Sequence, residues 1–249
     1  MLDRLDLDLE YTHADTGTRF REWGKHFTRL NIGLSAIPAR QIIFLTRDPR
    51  DVAVSMFYQM THRQRPPLRK RIEFALTGRT PPRNISGFVR HPGFGFEKVV
   101  RFNVGWAELL RSRRDVLFVT YEALHADTKS ELTRVVDFLG QSRTADQIVG
   151  AVTHCSFERM RKQEQINALT GQGPRWLQPG HVDDPLSYKT RRGKTGEFVD
   201  EVAPDDLAYF DRVLERYDYR RRMTAILGRS PLAEKRSSAA TGANVNIDG

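Results

Sequence analysis

A single cysteine, Cys155, stands in a chain of 249 residues, so neither an internal disulfide nor a multi-cysteine zinc site can be built from it. Long apolar runs are equally scarce. The apolar stretch from Gln41 to Thr46 is short, and no run approaches the roughly 18 residues that a membrane-crossing helix needs. The opening, Met1 to Glu10, alternates leucine with aspartate and has no basic segment followed by an apolar block, which is not the pattern of a secretory signal. A reducing, cytoplasmic setting is the expectation. Acidic residues are sparse in one region: between Thr61 and Arg114, 13 Lys and Arg stand against 3 Asp and Glu. The formal charge of the whole chain is +9, so the excess resides in that stretch. A solvated basic face accounts for such a block, and so does an anionic partner such as a nucleotide, a sulfated glycan or a lipid head group met at the periphery. No zinc finger, basic zipper or RNA-binding aromatic signature accompanies it, and nucleic acid is not an expected partner.

The length fits one α/β domain. Leu5, Leu7, Leu9 and Tyr11 alternate with acids, a period-two strand pattern. Phe20, Trp23, Phe27, Leu30 and Leu34 recur at helical spacing. The run from Gln41 to Thr46 reads as a strand covered on both faces. Asp48 and Pro49 then supply an N-cap and a first-turn proline for a helix to about Met60. From Thr61 to Phe96, five prolines and four glycines predict an irregular or partly helical excursion. A helix over 97–113, a strand over 116–120 and a helix over 128–139 follow. Strand, helix, strand, helix implies a parallel sheet flanked by helices. A helical pair over about 145–169, a Gly- and Pro-rich loop to Gly196 and a last helix over about 204–216 complete the domain. Its extent is read as 1–229, with a disordered tail over 230–249.

Two clusters carry chemistry, and an open α/β sheet is expected to set its ligand crevice at the ends of its strands. In Arg47-Asp48-Pro49-Arg50-Asp51, Arg47 ends a strand, and seven residues of helix return Ser55 to the face beneath Asp48. A cation and a hydroxyl thus converge beside the positive end of a helix, which suits an anion. Taken alone, an arginine after a strand and a serine in a helix are also commonplace. The second cluster is Arg191-Arg192-Gly193-Lys194-Thr195-Gly196. It contains the string GKT, but the glycine that a P-loop requires five residues before Gly193 is Tyr188, so that reading fails. A basic, glycine-permitted turn whose amides can meet a phosphate remains, with a solvated loop as the alternative.

Taken together, IIFLTRDPRDVAVS at 42–55, VLFVTYEAL at 116–124, CSFERM at 155–160 and RRGKTGEF at 191–198 resemble, in order and rough spacing, the sulfotransferases that use 3′-phosphoadenosine 5′-phosphosulfate (PAPS). The resemblance implies a doubly wound parallel sheet flanked by helices on both faces. It makes Arg47 and Ser55 ligands of the donor's 3′-phosphate, with Arg191, Arg192 and Gly193 closing over the same group. Tyr121 would contact the adenine edge and Phe157 would stack on its ring, with Cys155 and Met160 beside it; packing in the core is the alternative for both aromatics. Cys155 stands where the family usually has threonine.

The same resemblance implies a histidine base at the end of a strand ahead of the first motif, and Tyr11-Thr12-His13 is the segment patterned to match, which makes His13 the catalytic candidate. His26, His62 and His91 are weaker. The family also opens with a strand and a loop of the type Pro-Lys-Ser-Gly-Thr-Thr that holds the 5′-phosphosulfate, and no such segment is found in the twelve residues before His13. A domain without its first strand, loop and helix, and low transfer by the sequence as it stands, are therefore expected. PAPS and its product 3′-phosphoadenosine 5′-phosphate (PAP) are the expected co-substrate and product, with no metal. The acceptor is a small molecule, a saccharide or a lipid, lined by segments such as 63–96 and 171–188. The competing expectation is a catalytically impaired remnant that binds PAP or an anionic partner.

Overall fold

The computed structural model describes Leu5 and residues 41–63, 68–76, 80–174 and 177–228. Of the expected strand over 5–11 Leu5 alone is described, and it is buried; the rest of that strand, the helix over 17–34, His13 and the tail over 230–249 lie outside the described residues. Among the described residues there are two strands, β1 (Ile42–Thr46) and β2 (Val116–Thr120). They pair in parallel with Phe44 opposite Phe118 and Thr46 opposite Thr120. Around them in sequence run α1 (Pro49–Tyr58), α2 (Leu68–Leu76), α3 (Ile85–Val89), α4 (Phe96–Leu110), α5 (Tyr121–Ala126), α6 (Thr128–Phe138), α7 (Ala145–His154), α8 (Phe157–Thr170), α9 (Phe198–Glu201), α10 (Pro204–Arg216) and α11 (Tyr219–Leu227). The architecture is helix-rich α/β with a small parallel sheet.

The described residues fall into two compact units, one drawn from Leu5, 47–101 and 149–217, the other from 41–46, 102–148 and 218–228. In the second unit both strands turn aromatic and branched side chains into one core: Phe44, Trp106, Ala107, Leu110, Val116, Phe118, Met223 and Ile226 are buried together. Phe44 meets Phe118 edge-on at 5.9 Å between ring centroids. Here the structure corrects an expectation. β1 is not covered on both faces, because Leu45 is 53% exposed, and among the described residues β1 has a strand partner on one side alone.

The first unit is organised by α1. Asp48 caps it by accepting from the Arg50 amide, and Pro49 occupies the first turn, where a missing N–H costs nothing. Its Ala53, Val54 and Phe57 are buried, and Phe57 meets Phe88 of α3 at 5.6 Å. The helix does not stop at Met60 as its pattern predicts; it passes at Gln59 into a π-helical turn, Gln59–Arg63. Within the basic excursion α2 and α3 are helical, and Phe74 of α2 rests against Phe94 at 6.3 Å. Phe96 and Phe210, both fully buried, pack at 4.3 Å between centroids and bring α10 against the start of α4. Among the described residues no helix is long and apolar enough to cross a membrane.

Candidate functional site

The first unit brings the two sequence clusters together, although about 145 residues separate them. Asp51, almost fully buried on α1, accepts from the backbone amides of Gly196 at 2.8 Å and Phe198 at 3.2 Å. Arg47 donates to the Lys194 carbonyl at 3.0 Å and lies 3.4 Å from the Asp51 carboxylate. One charged pair therefore fixes the loop 191–198 along α1.

Helical phase then decides what that loop covers. At about 100° per residue, Asp51, Ser55 and Tyr58 fall within ~60° of one another on one face of α1. Asp51 holds the loop at one end of this face. At the other end the Tyr58 ring lies under the Arg191 guanidinium at 4.1 Å. Ser55, between them along the helix, is exposed. Gly193 adopts φ +69°, and a Cβ there would fall 2.4 Å from Cε2 of Phe157, so the loop backbone lies directly on that ring.

The basic turn is less cationic than its sequence suggests. Arg191 is largely buried, donates to Glu201 at 2.5 Å and lies 3.7 Å from Glu197. Arg192, 46% exposed on its side chain, lies 3.3 Å from Glu201. Arg50 is bound to Asp48 and sits 4.2 Å over the Phe198 ring. The reason is local: α9 follows the turn at once, and its N-cap Glu197 and its last residue Glu201 reach back onto the arginines. Glu201 also accepts from the Tyr58 hydroxyl at 2.5 Å. Burial opposes ionisation of Glu201, but hydrogen bonds from Tyr58 and Arg191 outweigh it and hold the carboxyl below its usual value. Burial first, and then the bond to Glu201, push the Tyr58 phenol up to about 12.

That shift has a testable consequence for alkaline stability. The folded value lies above the value of about 10 for an unfolded tyrosine, so the contribution of the neutral phenol is whole below pH ~10 and is lost as pH climbs toward about 12. Tyr58→Phe keeps the ring under Arg191 and removes the titrating group. Its unfolding between pH ~10 and ~12, followed by circular dichroism, should be shallower than that of the wild type; superimposable curves would dismiss the coupling.

Of the residues singled out from sequence, Arg47, Ser55, Phe157, Arg191, Arg192 and Gly193 thus lie in this one unit around the face of α1 and the start of α8. Cys155, a half-buried free thiol, precedes α8, and Met160 lies exposed on it. Tyr121 opens α5 in the other unit, its ring 6.0 Å from that of His125. His13 lies outside the described residues. Tyr58, Glu197 and Glu201 were not singled out, and Asp51 was named in the first cluster without a role, although the acids of GEFVDE next to a basic turn are a visible signal for the two glutamates. Among the described residues no group of three or more His, Cys, Asp or Glu is placed to hold a metal.

Comparison with known proteins adds a family. The family model described as the sulfotransferase domain matches residues 35–226. Sulfotransferase 2B1 of Rattus norvegicus is 25% identical over 176 residues, covering 70% of this chain and 46% of that protein. Sulfotransferase 1E1 of Homo sapiens is 27% identical over 182 residues, with 71% and 54% covered. The chain spans about half the length of the curated relatives it matches. Among solved structures, mouse sulfotransferase SULT7A1 complexed with PAP aligns with a TM-score of 0.47 at 21% identity, covering 71% of this chain and 57% of that one.

Proposed function

The chain belongs to the sulfotransferase domain family, and from that membership we propose that it transfers the sulfuryl group of PAPS to a hydroxyl or amine acceptor, gripping the donor's 3′-phosphate between α1 and the loop 191–198. The observation that carries this reading is the fastening of that loop to α1 by Arg47 and Asp51, with Ser55 exposed on the same helix face between Asp51 and Tyr58. A phosphate there meets a hydroxyl donor and the exposed Arg192, with Arg47 and Arg191 held in place behind it by carboxylates. Charge-assisted bonds of this kind are the strong ones, and guanidinium forks match phosphate geometry. Phe157, which Gly193 packs against, is the aromatic ring offered to the purine in this reading.

In the transfer the acceptor oxygen or nitrogen bonds to sulfur, the bond from sulfur to the 5′-phosphate oxygen breaks, and PAP departs with the electron pair. The acceptor's proton needs a base and the departing phosphate needs positive charge. This reading assigns the proton to His13 and the adenine edge to Tyr121, both on the strength of the family motif. The acceptor is a small molecule, a saccharide or a lipid.

The test compares donors that differ in one group. PAPS should bind at least about tenfold more tightly than adenosine 5′-phosphosulfate, which lacks the 3′-phosphate, since one charged hydrogen bond is worth roughly 1.5 to 3 kcal/mol. Calorimetric titration reads both affinities, and transfer of label from PAPS onto a panel of alcohols, sugars and lipids reads the reaction. Equal affinity for the two donors would show that the Arg47 and Arg191 clusters do not bind the 3′-phosphate.

A further inference from the structure

Helix α8 is held by an unusual set of contacts. Its buried residues are Glu164 and Asn167, both polar, so apolar packing does not decide where it sits. Glu164 is fully buried and accepts from the Lys189 amide at 2.6 Å, the Thr190 amide at 2.9 Å and the Thr190 hydroxyl at 2.7 Å. Arg63, itself nearly buried, approaches it at 3.7 Å and donates to the Gln178 carbonyl at 3.1 Å. Asn167 donates to the Leu177 carbonyl at 3.2 Å. Removing a carboxylate from water costs several kcal/mol unless donors surround it, and here two amides, a hydroxyl and a guanidinium do so.

The position of this carboxylate gives it a role. Phe157 and Glu164 are seven residues apart on α8, hence on one face and about 10.5 Å apart along the axis. The loop touches that face twice: at residues 189–190, on Glu164, and at Gly193, on the Phe157 ring. Three residues from Thr190 to Gly193 reach at most about 10 Å, so the strand of loop between the two contacts has little slack. Arg191 and Arg192 lie within it. Their direction of departure toward Tyr58 and Glu201 is set at Thr190, and Thr190 is set by Glu164.

We propose that Glu164 is a positioning residue for recognition of the 3′-phosphate: it holds the amides of residues 189 and 190 so that Arg191 and Arg192 present their guanidinium groups beside Ser55. This inference rests on the proposed PAPS reading and assigns that site a residue outside the matched motifs. Glu164 touches no nucleotide in this scheme and acts through the loop.

The experiment measures affinity for PAP and for adenosine 5′-phosphate, which lacks the 3′-phosphate, in the full chain and in two variants. Glu164→Gln keeps size and shape but removes a charge and one acceptor oxygen. Thr190→Val is close to isosteric and deletes one donor while both amides stay. A wild type without preference for PAP overturns the proposed function, and this inference with it. Given that preference, Glu164→Gln should lose about 5- to 10-fold in PAP affinity and Thr190→Val about 2- to 4-fold, with adenosine 5′-phosphate binding nearly unchanged in each. A purely structural carboxylate would instead lower the thermal midpoint and leave the ratio of the two affinities alone. Folded variants with the wild-type ratio overturn the positioning role, and Thr190→Val supplies that answer should Glu164→Gln not fold.

Discussion

Replacing Arg47 by alanine is expected to lower affinity for PAP by roughly 10- to 150-fold, the value of one charged hydrogen bond of about 1.5 to 3 kcal/mol, and to destabilise the fold as well. The two effects share a cause. The guanidinium holds the Lys194 carbonyl at 3.0 Å and neutralises Asp51 from 3.4 Å. Without it, the Asp51 carboxylate stays buried with the amides of Gly196 and Phe198 as its donors. Breaking a fully buried pair costs about 3 to 5 kcal/mol; Arg47 is partly exposed, so about 1 to 3 kcal/mol is expected here. Arg47→Lys keeps the charge but cannot fork between a carbonyl and a carboxylate, and should fall between alanine and wild type. Thermal unfolding and calorimetric titration below the transition separate the two losses. An alanine variant as stable as the wild type and with its full PAP affinity would mean that the loop is held, and the phosphate bound, by something else.

Gly193→Ala should be comparably damaging for a reason that involves no charge. The position has φ +69°, where a side chain costs about 1 to 2 kcal/mol. The new methyl would also lie 2.4 Å from Cε2 and 2.5 Å from Cδ2 of Phe157. Ring or loop must move, and either movement separates the adenine platform from the phosphate grip. A loss of about 2 kcal/mol or more, roughly 30-fold in PAP affinity, is expected. Combining it with Phe157→Ala tests the argument, since neighbouring substitutions that share a clash are not additive. The double variant should regain part of the stability, because the steric conflict is gone and the backbone strain remains. It should not regain affinity, because the platform is gone too. A Gly193→Ala protein with unaltered stability and binding would remove the contact between loop and ring from the account.

The legible parts of the fold were those fixed by neighbours in sequence. The strand over 116–120 and the helix over 204–216 appear with the predicted bounds, and α1 starts where Asp48 and Pro49 place it. The helix α5 went unread because its cap is Thr120, the last residue of a strand, whose hydroxyl accepts from the Ala123 amide. The short α9 has too few residues for a period to show. Helix α11 went unread for a different reason: its polar run Arg220-Arg221-Arg222 hides an apolar spacing of Tyr219, Met223 and Ile226.

The site divides along the same line. Sequence alone determined which residue types are available for an anion and in what order, because motif strings, caps and helical phase are local: Arg47, Ser55 and the Arg-Arg-Gly turn could all be named from it. Tertiary structure alone decided their state. Asp51 finds its donors 145 residues away, Arg191 is matched by Glu201 and Glu197 rather than left as an open cation, and Glu164 acquires its meaning from amides 25 and 26 residues further on. A buried carboxylate is tolerable only where donors from distant segments converge on it, and which distant segments converge is a property of packing that no local pattern of residues contains.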